Sequence, residues 1–111
     1  PLLEAAACDL PVIATNWSGH LDFLNNGKWL KVESTLQTVH GSRIDGQIFV
    51  PGSKWACPDE IDAKNKIIKF RKSSTIPKKW AVDLGEKLRE KYSQSAVSDL
   101  YDKELSEILR R

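Results

Sequence analysis

The apolar positions change rhythm along the chain, and each change predicts a change of element. Leu2, Leu3 and Ala5 to Ala7 crowd behind Pro1, Asp9-Leu10-Pro11 interrupts them, and Val12-Ile13-Ala14-Thr15 follows as a run without alternation. The first group reads as a helix, because proline has the fixed φ and missing N–H suited to a first helical position and alanine is the strongest helix former. Pro11 cannot continue that helix, and Asp9 tolerates the left-handed corner that ends it. A short run that is apolar at every position fits a strand covered on both faces, as in an α/β sheet. Trp29-Leu30-Lys31-Val32 reads as a second strand. It is reached through a short helix from about His20 to Leu24, which Ser18 or Asn16 can cap and Asn25-Asn26-Gly27 can close with positive φ. The two strands should pair in parallel through that helix.

Beyond Val32 the pattern weakens and then returns as helix. Thr35 to Val39 alternates a little, Asp45-Gly46 is a hairpin-turn signal, and Gln47 to Val50 would be the returning strand, so residues 33–52 read as a variable loop with a small hairpin. His40 and Arg43 fall in it as solvated residues. Pro58-Asp59 then opens a helix with Asp59 as N-cap and Asp62 near N3, a weak capping box. Ile61, Ile67, Ile68 and Phe70 should be its buried side, with Lys64, Lys66, Lys69, Arg71 and Lys72 its wet side. Ser73 to Pro77 has linker composition. After it, Trp80, Leu84, Leu88 and Tyr92 recur every fourth residue on one helical stripe, which Gly85 weakens by roughly 1 kcal/mol relative to alanine. Ser93 or Ser95 caps a last helix with Val97, Leu100, Tyr101, Leu105, Ile108 and Leu109 on its apolar side. The organisation expected is an α/β unit with short parallel strands over residues 1–72, then a linker and C-terminal amphipathic helices over residues 73–111.

Composition narrows the classes. With 41% hydrophobic and 29% charged residues among 111, the chain belongs with small globular domains and not with disordered ones. A net charge of +2 gives no general reason to expect nucleic acid, although the lysines from Lys64 to Lys72 could still meet phosphates or a membrane surface. No apolar run is long enough for a membrane span, and no signal peptide is visible. Cys8 and Cys57 lack metal-ligand spacing and read as reduced, partly buried thiols of a cytoplasmic protein. His20, beside the Ser18-Gly19 turn, and Asp22 after it read as surface or capping residues before they read as ligands.

One residue carries chemistry by position. Glu4 stands in the first turn of the opening helix, where unpaired N–H groups and partial positive charge suit a phosphate, and where an outward carboxylate can accept two hydroxyl hydrogen bonds. The plainer reading is a favourable first-turn charge.

The stretch P-x-L-E-A-x-A-C-x-L-P-V-I-A-T from Pro1 to Thr15, with Ser18-Gly19 and Asp22-Phe23-Leu24, closely resembles the C-terminal, nucleotide-sugar-binding domain of retaining GT-B glycosyltransferases of the group 1, or family 4, type. Trp55-Ala56-Cys57-Pro58-Asp59 is similar to the W-A-x-P-D element that precedes a later helix in many members. The likeness covers the first third of the chain well and the rest loosely. It implies a partial Rossmann-like fold and a chain that is part of a longer enzyme moving a sugar from a nucleoside-diphosphate donor to a glycan, lipid-linked or protein acceptor. Glu4 matches the second acid of an E-x7-E motif, whose carboxylate takes the donor ribose hydroxyls, and the pyrophosphate would lie near Leu2 and Leu3. The first acid would precede Pro1. No catalytic base, metal ligand or cofactor is expected from these residues. The terminal helices would pack back on an N-terminal acceptor domain, and the site of action would be cytoplasmic, including the cytoplasmic membrane face. Asp9 stands where the family usually has glycine, Ala6 where methionine is common, and Gly19 where a pair of glycines is usual. The alternative is a noncatalytic α/β module that binds a nucleotide or a protein through the same helix start.

Overall fold

A computed structural model describes residues 1–110. Helix α1 (Leu2–Ala7) ends at Cys8, turns at Asp9 with φ 62°, and leads through Pro11 into strand β1 (Ile13–Thr15). The one-turn helix α2 (Leu21–Leu24) connects β1 to β2 (Leu30–Val32), which pairs with it in parallel, Ile13 opposite Leu30 and Thr15 opposite Val32. A second sheet is antiparallel: β3 (Ser34–Thr38) against β4 (Lys54–Pro58). Three longer helices close the described chain, α3 (Glu60–Lys72), α4 (Thr75–Lys91) and α5 (Gln94–Leu109). The architecture is mixed α/β, two two-stranded sheets with helices around them.

The core lies where α4 crosses α1 and the parallel pair. Ala6, Val12, Leu24, Trp29, Leu84 and Leu88 form one buried cluster, with Leu24 and Leu88 the largest side chains fully removed from solvent. Burying side chains of this size contributes about 1.5–3 kcal/mol each. The stripe of Trp80, Leu84, Leu88 and Tyr92 therefore has a partner within the chain: α4 covers α1 and the sheet. Gly85 explains why. A Cβ there would stand 2.8 Å from the Ala6 carbonyl oxygen, so the helices approach as closely as they do because glycine lacks one.

Several local expectations are corrected. The antiparallel partner of β3 is Lys54–Pro58, with Leu36 opposite Ala56, and not Gln47 to Val50. Asp45 causes the shift: its carboxylate accepts the backbone N–H groups of Gln47, Ile48 and Phe49, each at 2.9 Å, and so winds those residues into a closed turn. Neither Ser18 nor Asn16 caps α2. His20 is the N-cap residue and Ser18 supplies only its carbonyl, with φ 78°. At the other end Asn25 has φ −74°, and the helix is closed by the Asn26 side-chain amide, which donates to the carbonyls of Asp22 and Phe23.

Asp59 does cap α3, accepting the Asp62 N–H at 3.0 Å, but Asp62 does not reciprocate. Its carboxylate crosses to the Glu33 N–H at 2.9 Å and pairs with Lys66. The linker assigned to Ser73 to Pro77 is shorter than expected, because α4 already begins at Thr75. Pro77 sits in its first turn, where a missing N–H costs no helical bond. Ser93, of the two serines proposed, caps α5 by accepting the Ala96 N–H.

The largest reversal is in α3. Ile61, Ile67 and Ile68, expected inside, are 71%, 50% and 49% exposed, and no residue of the helix is buried. The inward side is instead Asp62, Ala63, Lys66 and Phe70, half-buried. Among the described residues no helix is long and apolar enough to cross a membrane.

Candidate functional site

Glu4 leaves the core by helical geometry. Ala6 is the buried position of α1, and a residue two places earlier points to the other side, so the Glu4 carboxylate stands 77% exposed. An exposed first-turn carboxylate is an anion at neutral pH, an acceptor only. Leu2 and Leu3 are half-buried and pack against the core cluster. Their side chains anchor the helix, and only their backbone N–H groups are left to meet a ligand.

Beside Glu4 runs a hollow of about 370 Å³ between α1 and the end of α4, walled by Leu3, Ala7, Leu88 and Tyr92. That volume is within the range of small-molecule sites. Arg89 also reaches it, a residue that no local pattern singles out. Its guanidinium donates to the Ala7 carbonyl at 2.7 Å and to Asp9 at 2.6 Å, which fixes the corner after α1 to α4. The link joins residues 80 and 82 positions apart, and nothing in a linear pattern announces such a pair. Asp9 has both the left-handed backbone expected of it and a partner that holds it there.

The other candidates resolve into structural roles. His20 Nε2 lies 2.5 Å from the Thr15 carbonyl oxygen, and its ring meets Trp29 edge-on at 6.2 Å, so it ties α2 to the end of β1. His40 accepts the Ser42 N–H at the start of a single 3-10 turn, Gly41–Arg43, and Arg43 is exposed. Asp22 is an exposed first-turn acid. Cys8 is exposed and not partly buried as expected, Cys57 is half-buried, and both are free thiols. Among the described residues no three His, Cys, Asp or Glu side chains converge as a metal site.

A larger hollow, about 490 Å³, lies away from Glu4 between β2, α3 and α4, lined by Phe70, Ile76, Pro77 and Trp80 together with Lys31 and Lys69. Sequence reasoning missed Trp29 as a core residue. It is 6% exposed and donates its indole N–H to Asn25 at 3.0 Å, a bond that an i, i+4 pair across a turn could have suggested. No family model, curated protein or solved structure matches this chain.

Proposed function

We propose that this chain is the donor-nucleotide side of a retaining glycosyltransferase, with Glu4 accepting the ribose hydroxyls of a nucleoside-diphosphate sugar. The observation that carries the reading is the Glu4 carboxylate itself. It stands free of the core on the outward side of a helix that is buried at Ala6 and leads through a left-handed Asp9 into a parallel strand, within the same residues that resemble the family. The adjoining 370 Å³ hollow offers an apolar wall for the remainder of a nucleotide.

The chemistry assigned to this segment is binding. A charged acceptor bridging two vicinal hydroxyls orients the ribose, and with it the diphosphate, toward the helix start where backbone N–H groups are free. Such orientation lowers the entropic part of the barrier to transfer. A proton-transfer group or nucleophile is not assigned here, and the acceptor, whether glycan, lipid-linked or protein, is not contacted by Glu4 in this reading. The phosphate-binding cations of such an enzyme would come from elsewhere, since Arg89 is already engaged with Asp9 and Ala7.

Titrating uridine, guanosine and adenosine diphosphates while following backbone amide shifts tests the reading. One of the ribonucleotides is expected to move the amides of residues 2–5. Its 2′-deoxy analogue should bind roughly ten- to hundredfold more weakly, as should the parent nucleotide to Glu4→Gln, since each bond to a charged acceptor contributes about 1.5–3 kcal/mol. Shifts confined to other residues, or no discrimination between ribose and deoxyribose, would remove Glu4 from the site.

A further inference from the structure

The isoleucines that α3 turns outward call for an occupant. On a helix of 3.6 residues per turn, Ile61 and Ile68 are seven apart and stand almost in line, and Lys64, Arg71 and Lys72 fall within about 70° of that line. Ile61 is 71% exposed, Ile68 49%, and the Lys64 side chain 68%. The helix thus presents a narrow apolar ridge with cations on both flanks, opposite the side that Asp62, Ala63, Lys66 and Phe70 pack inward.

Positive charge is concentrated in this part of the sequence. From Lys64 to Lys79 the chain carries seven basic residues and no acidic one, and because the net charge of the whole is +2, the remainder stands at −5. Of the seven, Lys66 is paired inward with Asp62 at 2.9 Å, and Lys64 meets Glu60 at 3.8 Å. Lys69, Arg71, Lys72, Lys78 and Lys79 are exposed.

From this arrangement we propose that α3 is a docking face for an anionic phospholipid surface, on which the helix lies flat with Ile61 and Ile68 in the acyl boundary and the cations among the headgroup phosphates. Lysine and arginine suit this geometry because their aliphatic stems follow the apolar surface while the charges stay at the headgroups. A cationic flank on an apolar ridge is the composition of interfacial helices. Each basic side chain near such a surface strengthens partitioning roughly fivefold. The ridge decides between the two polyanions that this charge could serve. Nucleic acid would be met through the phosphates, and the exposed isoleucines would gain nothing from them. In lipid they leave water. The face is independent of Glu4 and of the nucleotide reading.

Co-sedimentation of the chain with phosphatidylglycerol and with phosphatidylcholine vesicles tests the proposal, alongside a duplex DNA titration. Binding is expected to phosphatidylglycerol only and to weaken as salt rises. Ile61→Ser with Ile68→Ser should weaken it roughly tenfold, and Arg71→Gln or Lys72→Gln roughly fivefold each. All four side chains are exposed, and an unchanged far-ultraviolet circular dichroism spectrum establishes that the variants fold. The proposal is overturned by equal binding to both lipids or by none. It is overturned also by serine variants that bind phosphatidylglycerol as the parent does, by DNA binding tighter than vesicle binding, or by a lipid-free dimer that the serine variants abolish.

Discussion

Single side chains decide the fine structure, and two of them give predictions of opposite character. Gly85 would be judged a weak point of α4 by propensity, and Gly85→Ala a stabilising change of about 1 kcal/mol. The contact with the Ala6 carbonyl reverses the sign: the added methyl must push α1 away from α4, and overpacking of this kind costs about 1–3 kcal/mol. The variant is expected to be less stable by urea denaturation. A more stable one would mean that the helices are not held at this distance. Asp62 acts through charge. The Glu33 N–H, then Lys66, hold its carboxyl below the usual 3.8. A carboxyl depressed in the folded state stabilises above its unfolded value, and that stabilisation is lost as the pH falls from about 4 through the lower folded value. Asp62→Asn should therefore flatten the acid side of the stability curve, measured as the urea midpoint against pH. Asp45, depressed by the N–H groups of Gln47 and Phe49, titrates in the same direction and leaves a residual slope.

At the scale of elements, what could be read from the chain depended on whether the deciding forces were local. The Asp9 corner, the Asp59 and Ser93 caps, the parallel strands at Val12 to Thr15 and Trp29 to Val32, and the stripe on α4 rest on backbone preference and helical or strand period, which neighbours in sequence determine. The sided character of α3 does not. Reading isoleucine and lysine as opposite faces does not fit the helical period, which puts Lys64, Arg71 and Lys72 beside Ile61 and Ile68, and the inward side is that of Asp62 and Lys66, where Asp62 accepts the N–H of Glu33, 29 residues earlier. The hairpin likewise followed a side chain, Asp45, that closes its own loop and leaves Trp55 to pair opposite Gln37. Helices α4 and α5 should differ sharply in hydrogen exchange. Leu84 and Leu88 bind α4 to the core, whereas α5 has no buried residue, and most helical stability in proteins comes from tertiary packing of an apolar face. Amides of α5 are expected to exchange roughly a hundredfold faster or more than those around Leu84 and Leu88. Equal protection would show that α5 has found a partner. Leu88→Ala, at the centre of the protected set, should cost about 2–5 kcal/mol.

The molecule as a whole is a thin slab of 49 × 45 × 16 Å with a Cα radius of gyration of 18.1 Å, against roughly 13 Å for a compact domain of this length. A slab has little interior, so the core is confined to the α1, α4 and parallel-strand crossing, and apolar side chains elsewhere face out. Ile48, Leu100, Tyr101, Ile108 and Leu109 are 58–84% exposed, and α5 carries most of them. Glu4 and the α3 ridge belong to different parts of this surface, the first beside the α1–α4 hollow and the second on a helix that does not line it. Nucleotide binding and vesicle binding are consequently expected to be independent, and Glu4→Gln should leave co-sedimentation with phosphatidylglycerol unchanged.

What the amino-acid order settles unaided in this protein is part of what near neighbours control: the Asp9 corner, the Asp59 and Ser93 caps, the parallel strands near Val12 to Thr15 and Trp29 to Val32, and that Glu4 sits in a first turn. The tertiary structure alone decides what those elements face. Arg89 finds Asp9 across 80 residues, Asp62 finds Glu33 across 29, and α4 finds α1 through the missing side chain of Gly85. The physical reason is range. Propensity and capping act within a turn or two of the chain, whereas burial is settled by which surfaces meet, and a periodic pattern marks two faces of a helix without saying which one will be covered.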